Sequence, residues 1–184
     1  MFIRSERLFL RPGWPEDWSA IFSAIADEAV VRNLSRVPWP YTPEAARQYA
    51  ALGQDRRCPH FLITLPTAQG VELVGAIGLA PTHDGAELGY WIGRDHWGQG
   101  YATEASRALL SLARTLGHRR VEATHFLDNP ASGRVLRKVG FCPTGRVEER
   151  YSLARGKVAP SAVLTMTLGE PSDCDDDMDV KRAA

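Results

Sequence analysis

The stretch HWGQGYATEA, residues 96–105, sets two glycines directly in front of a run of good helix formers. Behind Gly98 and Gly100, apolar residues recur at steps of three and four as far as Leu116, which predicts an amphipathic helix that Gly117 ends. The first turn of a helix presents unpaired N–H groups and the positive end of the helix dipole, and glycines before it let the backbone approach a ligand closely. The stretch therefore predicts an anion-binding turn at a helix N-terminus.

Two common phosphate-binding motifs do not match this turn. A dinucleotide-binding turn of the G-x-G-x-x-G type needs Gly or Ala where Thr103 stands, and a Walker loop needs a Gly-Lys-Ser/Thr sequence that the turn lacks. An alternative stays open, in which the glycines only shape a loop between a strand and a helix. We favour anion binding, because Gly93, Gly98 and Gly100 all precede one helix.

The hydrophobic periodicity around the turn predicts a mixed α/β domain. Alternating and β-branched runs predict strands, whereas caps, prolines and apolar steps of three and four predict helices. The predicted strands cover Arg7–Arg11, Phe61–Leu65, Glu72–Leu79, Glu87–Ile92, Val121–Phe126, Cys142–Tyr151 and Ala162–Leu168; the predicted helices open at Pro15, Thr42, Gly100 and Asn129, and the last three reach Asp55, Gly117 and Val139. This order contains one strand-helix-strand crossover at its middle.

The charge of the chain is unevenly distributed along its 184 residues, although the formal net charge is zero. Residues 169–184 carry six acids, two bases and few large apolar residues, so we expect a disordered acidic tail there. Residues 1–168, with a net charge of +4, form the predicted single domain. A mildly basic body suits a small anionic ligand.

The composition argues against several other classes of protein. The chain has no apolar run of the roughly 18 residues that cross a bilayer, charges in residues 1–7 argue against a signal peptide, and no concentrated Lys/Arg face suggests nucleic-acid binding. Neither the histidines nor Cys58, Cys142 and Cys174 have the spacing of metal ligands, so no metal is expected. We expect reduced thiols in a cytoplasmic protein.

Several segments in one order resemble the GNAT N-acetyltransferase superfamily. They are ELGYWI (87–92), WGQGYATEA (97–105), DNPAS (128–132) and VLRKVGF (135–141), and SERLFLRP (5–12) extends the likeness toward the N-terminus. The chain is similar to the branch of ribosomal-protein N-terminal acetyltransferases (RimJ/RimL-like) and their small-molecule relatives. The resemblance implies a single-domain α/β GNAT fold: a mixed, mostly antiparallel sheet flanked by helices, with a splayed strand pair that binds acetyl-CoA.

The resemblance implies that the turn holds the pyrophosphate of acetyl-CoA. Trp97 stands where the superfamily usually has Gln or Arg, a departure that this branch shares, and the hydroxyl of Thr103 adds a further donor. The residues that match the family's six-residue phosphate pattern are Trp97, Gly98, Gln99, Gly100, Tyr101 and Ala102.

The pantetheine arm of acetyl-CoA is implied to pair with the splayed strand edge, which Trp91 and Ile92 match. The N–H of Ile92 is the candidate donor to the thioester carbonyl. Asn129 matches the family's contact to the pantetheine amide, and Ser132 belongs to the same Asn-Pro-x-Ser segment. In the plainer interpretation, Asn129 is a helix cap before Pro130.

The implied reaction is direct attack of a primary amine on acetyl-CoA in a ternary complex, without metal. One group must take a proton from the amine, and another gives a proton to the leaving thiolate. Many superfamily members use a tyrosine as the acid where Leu136 stands here, and the branch is proposed to use Ser132 instead. Glu87 is the candidate base, because its strand spacing sets it on one face with Trp91; an exposed strand-end acid is the alternative.

The acceptor is the least determined part of the prediction. Trp39 and Tyr41 fall where the branch places its acceptor cleft, although a packed connector fits them equally. Glu148 and Glu149 are weaker candidates for the base, because adjacent strand residues point to opposite faces. The resemblance implies a protein N-terminus as acceptor and is compatible with a homodimer. The alternatives are a small amine, such as a polyamine or an antibiotic, and a catalytically weak CoA-binding regulatory module, for which Leu136 is the only indication.

Overall fold

The helices and strands can be followed in the computed structural model, which describes residues 1–169. The elements are β1 (Ile3–Arg4), β2 (Phe9–Arg11), α1 (Trp18–Ile25), α2 (Glu28–Val31), α3 (Pro43–Ala50), β3 (His60–Thr67), β4 (Gly70–Thr82), β5 (Gly85–Ile92), α4 (Tyr101–Thr115), β6 (Arg120–Phe126), α5 (Pro130–Lys138), β7 (Cys142–Ser152) and β8 (Lys157–Thr167). In this part of the chain no helix is long and apolar enough to span a bilayer. The acidic tail predicted from residue 169 lies, apart from its first residue, outside the described range.

The strands of the described range form one sheet in the order β1-β2-β3-β4-β5-β6-β8-β7. All neighbours are antiparallel except β5 and β6, which are parallel because α4 crosses over the sheet between them. The predicted mixed, mostly antiparallel α/β fold is confirmed. The parallel pairing is short, since it joins only residues 86–88 to residues 121–123, and beyond it the two strands part. This is the predicted splayed pair.

Helices cover both faces of the sheet. On one face, α4 and α5 pack over a large core that includes Leu88 and Ile92. On the other face, α1 and α3 pack over a smaller core that includes Trp91. Successive strand residues point to opposite faces, so β5 sends Glu87 and Trp91 toward the smaller core and Tyr90 toward α5.

The start of α4 depends on two left-handed glycines. Gly98 and Gly100 have φ angles of 77° and 82°, which residues with a Cβ rarely adopt. Gly100 is the N-cap of α4, and the stripe formed by Ala105, Leu109 and Ala113 is fully buried beneath the helix. The conformation of the predicted glycine turn and the amphipathic helix behind it are confirmed; anion binding by the turn stays a prediction.

The structure differs from the sequence prediction at the end of one helix, in two short elements and at the start of β8, which begins at Lys157 and not at Ala162. The helix predicted to reach Asp55 ends at Ala50, because the Asp55 carboxylate instead accepts hydrogen bonds from the N–H groups of Arg57 and Cys58 in a turn. Strand β1 and helix α2 were not predicted, since two and four residues are too few to show a period.

The prediction of reduced thiols is only partly correct. Cys58 is a free, buried thiol. Cys142 is disulfide-bonded, so the prediction is wrong for this residue. It opens β7 in a half-buried position.

Gly75 and Gly89, on neighbouring strands, provide a test of the sheet. A Cβ at Gly75 would lie 2.2 Å from the carbonyl oxygen of Trp91, whereas a Cβ at Gly89 would meet nothing within 4 Å. We expect Gly75→Ala to lower the free energy of unfolding by about 2–3 kcal/mol, because backbone must move. The control Gly89→Ala should change it by less than about 0.5 kcal/mol. Urea denaturation measures both, and equal losses would contradict the packing described.

Candidate active site

A cleft opens where β5 and β6 part. Its volume is about 960 Å³, and its lining extends from the N-terminus of α4, through the gap between the strands, to residues 32–37 after α2. Within the described residues, the pairing of β5 with β6 ends at Leu88 and Ala123. A strand edge without a neighbour offers N–H and C=O groups, so an extended ligand can pair with it.

The turn that the sequence predicts to bind an anion lies at one end of this cleft. Among residues 1–169 no side chain caps α4, so the N–H groups of its first turn are free for a ligand. The indole N–H of Trp97 donates to the carbonyl of Ile92 at 2.7 Å, which ties the turn to the end of β5. The predicted residues of the turn that line the cleft are Trp97, Gly98, Gly100, Tyr101, Ala102 and Thr103. Gln99 lies outside this lining, and its carbonyl accepts from Arg7.

The last residues of β5 offer backbone rather than side chains to the cleft. Trp91 and Ile92 both line it, but their side chains are buried in the two cores. The N–H of Gly93 donates to Val74 of β4 at 2.9 Å. Because peptide groups alternate in direction along a strand, the N–H of Ile92 points to the opposite edge, into the gap.

Two hydroxyl groups meet at the N-terminus of α5. The Ser132 hydroxyl oxygen lies 2.9 Å from that of Tyr90. The Asn129 side chain accepts a hydrogen bond of 3.2 Å from the Ser132 N–H, so Asn129 is the N-cap of α5. Burial raises the pKa of Tyr90 to about 12, so the phenol stays protonated at neutral pH and can donate to Ser132.

Tyr90 was not among the site residues predicted from the sequence. The available signal was strand alternation, which sets Tyr90 on the face covered by α5. Leu136, at the position where the resemblance implies a tyrosine, is only 1% exposed and belongs to the apolar core. On this face of the sheet, the pair of hydroxyl groups beside the gap therefore comes from β5 and from the first turn of α5.

Glu87 lies on the other face of β5, with its carboxylate held by two partners. Its Oε1 accepts from the Thr124 hydroxyl at 2.8 Å and from the Arg150 guanidinium at 2.7 Å. The Glu87 side chain is 18% exposed and lines the cleft, as do Thr124 and Arg150. Neither partner was predicted, because both come from strands distant in sequence.

The other predicted acceptor and base residues lie in different surroundings. Tyr41 lines the cleft but is buried against Phe22, with ring centroids 6.3 Å apart. Trp39 is exposed and outside the cleft lining. Glu148 and Glu149 are also outside it, and Glu148 pairs with Arg146. Within residues 1–169, no group of three His, Cys, Asp or Glu side chains could hold a metal ion.

Known proteins resemble this chain over most of its length. Residues 7–142 match the family described as the acetyltransferase (GNAT) domain. The uncharacterized N-acetyltransferase YoaA of Bacillus subtilis strain 168 is 34% identical over 161 residues, which cover 84% of this chain and 89% of that protein. The chain belongs to the GNAT acetyltransferase family. It is therefore an acyl-CoA-dependent N-acyltransferase that uses acetyl-CoA and an amine acceptor.

Two ribosomal-protein acetyltransferases are among the similar proteins. The ribosomal-protein-serine acetyltransferase of Escherichia coli K12 is 34% identical over 82 residues, which cover 42% of this chain and 46% of that protein. The solved structure of RimL, the ribosomal L7/L12 alpha-N-protein acetyltransferase in complex with coenzyme A, shares the fold. Its TM-score is 0.75 at 21% identity, and the match covers 91% of this chain and 98% of that one.

The GNAT cleft of this chain carries groups that fit the charged part of acetyl-CoA. The left-handed glycines and the uncapped first turn of α4 leave backbone N–H donors of the kind that bind phosphate groups. Arg94, Arg134 and Lys138 also line the cleft and add positive charge. The Arg94 guanidinium lies 4.4 Å from the centre of the Trp97 ring, which holds it beside the turn.

Substitutions at Gly100 test whether the turn binds the diphosphate. Asp and Asn have nearly the same size, and both tolerate a left-handed backbone better than most residues, so the comparison isolates one negative charge. We expect Gly100→Asp to bind CoA roughly tenfold or more weakly than Gly100→Asn, because a carboxylate would repel the diphosphate. Isothermal titration calorimetry with CoA measures both affinities. Equal affinities would place the diphosphate elsewhere.

Proposed function

We propose that this GNAT enzyme acetylates the N-terminal amine of a protein, a ribosomal protein by preference, within a ternary complex. The observation that carries the proposal is the single cleft that joins the anion-binding turn to a polar acceptor end through the open strand edge. The two ribosomal-protein acetyltransferases among the similar proteins support the choice of acceptor. The same proposal implies that the protein acts in the cytoplasm, where ribosomal proteins are made. That the protein forms a homodimer stays a prediction.

In this proposal the donor lies along the parted strands. The turn from Trp97 to Thr103 and the start of α4 bind the diphosphate, and the pantetheine arm follows the free edge of β5 beside Trp91. The Ile92 N–H points into the gap, so it is placed to donate to the thioester carbonyl and to stabilise the negative charge that develops there. Asn129 contributes mainly as the cap that fixes the first turn of α5.

The proposed base is Glu87, which takes a proton from the acceptor ammonium. Its carboxylate is fixed by Thr124 and Arg150, so its direction is set before the acceptor binds. Only Oε1 accepts these two bonds, and Oε2 is left for the amine or a bridging water.

The proposed acid is Ser132, which Tyr90 assists. If the Tyr90 phenol donates to the Ser132 oxygen, the Ser132 hydrogen is free to point at the leaving sulfur. The proton passes from the Ser132 hydroxyl to the thiolate, and solvent restores it. This pair supplies a donor although Leu136 is apolar, which argues against the alternative of a CoA-binding module without catalysis.

The charges at the acceptor end favour a peptide over a polyamine. Arg155 binds Asp128 through two hydrogen bonds of 2.8 Å, and Arg150 neutralises Glu87. Arg36 lines the cleft and makes no hydrogen bond or ion pair within the described residues. The arginines at this end are Arg32, Arg36, Arg150 and Arg155, against the two carboxylates of Glu87 and Asp128. A net positive rim disfavours acceptors with several positive charges.

An acceptor panel tests the function directly. Purified protein with acetyl-CoA is mixed with intact ribosomal proteins, peptides of their N-terminal sequences, or spermidine, and release of the free thiol is followed. We expect the proteins and peptides to accelerate release and spermidine to leave it at the rate without acceptor. The same peptides with a blocked N-terminus are the matched control and should be inactive.

Other outcomes of this panel would reject the proposal in different ways. Acceleration by spermidine or other small amines alone would show a small-molecule acetyltransferase. Tight CoA binding without acceleration by any acceptor would favour the regulatory module.

The hydroxyl pair can be tested by three variants. We expect Ser132→Ala to lower kcat about a hundredfold, and Tyr90→Phe about tenfold, with little change in the KM for acetyl-CoA. Since Tyr90 acts through Ser132, the double variant should be no slower than Ser132→Ala alone. Steady-state kinetics with the best acceptor provides the measurement. Tyr151→Phe, at an exposed tyrosine, is the control; multiplying losses in the double variant would contradict the coupling.

A further inference from the structure

We propose that Arg7 and Glu104 are positioning residues for acetyl-CoA, which lock the anion-binding turn in its binding conformation before the diphosphate arrives. The proposal rests on the placement of the diphosphate at this turn. It assigns a function to Ser5, Arg7 and Leu8 of the N-terminal segment, which reaches the turn from another part of the chain. The step that it explains is donor binding, whatever the acceptor is.

Glu104 lies in the first turn of α4, and its carboxylate accepts hydrogen bonds from the N-terminal segment. Its Oε1 accepts from the Ser5 hydroxyl at 2.8 Å, from the Arg7 N–H at 2.7 Å and from the Leu8 N–H at 3.2 Å, while Oε2 accepts from the Arg7 side chain at 2.8 Å. Burial alone would raise the pKa of Glu104, but the hydrogen bonds from Arg7 and Ser5 bring it below its usual value. The group is therefore an ionised, 13% exposed anchor at neutral pH.

Arg7 extends from this anchor to the turn itself. Its Nη1 donates to the carbonyl of Gln99 at 3.1 Å, and its guanidinium lies 4.8 Å from the centre of the Tyr101 ring. A Cβ added at Gly100 would lie 3.5 Å from its Nη2. One planar guanidinium thus contacts Gln99 and Tyr101, on either side of Gly100, while its Nε stays bonded to Glu104.

The bond to Gln99 fixes the direction of the neighbouring donor. In a planar trans peptide, the carbonyl oxygen and the following N–H point in opposite directions. Because Arg7 holds the Gln99 carbonyl on its own side, the N–H of Gly100 is directed to the other side. Glycine residues can adopt many other conformations, so a turn built from them loses conformational entropy when a ligand binds. This loss is smaller if contacts within the protein order the turn before the ligand binds.

An effect of charge alone and a positioning function predict different changes in CoA affinity. Glu104 is a negative charge near the site of a diphosphate, so replacing it with Gln would strengthen CoA binding if only charge mattered. Under the proposal the same replacement weakens binding, because the charge-assisted bonds to Arg7 and Ser5 are lost. Arg7→Lys keeps the positive charge but cannot donate to Gln99 and Glu104 in the same fork geometry.

The experiment compares these variants with two matched controls near the same segment, Arg4→Lys and Glu6→Gln, at exposed residues. CoA binding is measured by calorimetry, and binding of pantetheine, which lacks the diphosphate, by ligand-observed NMR. We expect Arg7→Lys and Glu104→Gln to weaken CoA binding about tenfold and to leave pantetheine binding unchanged. Both controls should leave both affinities unchanged. No acceptor is needed.

The proposal is overturned if Glu104→Gln binds CoA as tightly as the parent or more tightly, or if CoA and pantetheine lose affinity equally, as general damage to the fold would cause. The Gly100→Asp and Gly100→Asn pair, measured alongside, separates this failure from an error in the diphosphate site. If that pair shows the charge effect and the Arg7 and Glu104 variants do not weaken CoA binding, the turn binds the diphosphate without being positioned by Arg7 and Glu104. If that pair shows no difference, both proposals fall together.

Discussion

The short parallel contact between β5 and β6 is the constraint on which the cleft depends. The α4 crossover makes the two strands parallel, but only three residue pairs join them. Each strand is held along its other edge, β5 by β4 as far as Ile92 and β6 by β8 as far as Phe126. The gap is therefore part of the folded sheet, and each strand beside it is fixed by its pairing along the other edge. The unpaired backbone groups at the gap are available before a ligand binds.

The two ends of the cleft offer different kinds of groups to a ligand. At the turn, the donors are backbone N–H groups, and their directions depend on the left-handed conformations of Gly98 and Gly100. At the acceptor end the groups are side chains, held in place by ion pairs such as that of Glu87 with Arg150. A backbone site leaves a glycine pattern in the sequence, whereas a side-chain site of this kind leaves no compact pattern.

This difference explains how far the sequence could predict the molecule. Helix α4, strand β5 and the cap at Asn129 are local features, and their periods and capping residues predicted them. Contacts between distant segments could not be predicted in that way: Arg150 lies 63 positions from Glu87, and Arg7 lies 97 positions from Glu104. The end of α3 was also misplaced, because the competing turn is formed by side-chain hydrogen bonds to backbone.

The geometry of one strand organises the proposed chemistry. Glu87 and Tyr90 are three positions apart on β5, an odd number, so they lie on opposite faces of the sheet, about 10 Å apart along the strand. The free edge of β5 lies between the two faces, and the Ile92 N–H points from this edge into the gap. Strand alternation and the parting of β5 from β6 thus set the proposed base on one side of the sheet and the hydroxyl pair on the other. They also leave, at the edge, an N–H that can donate to the thioester carbonyl. With the donor hydroxyl placed on β5 and the first turn of α5, Leu136 is left to pack the core.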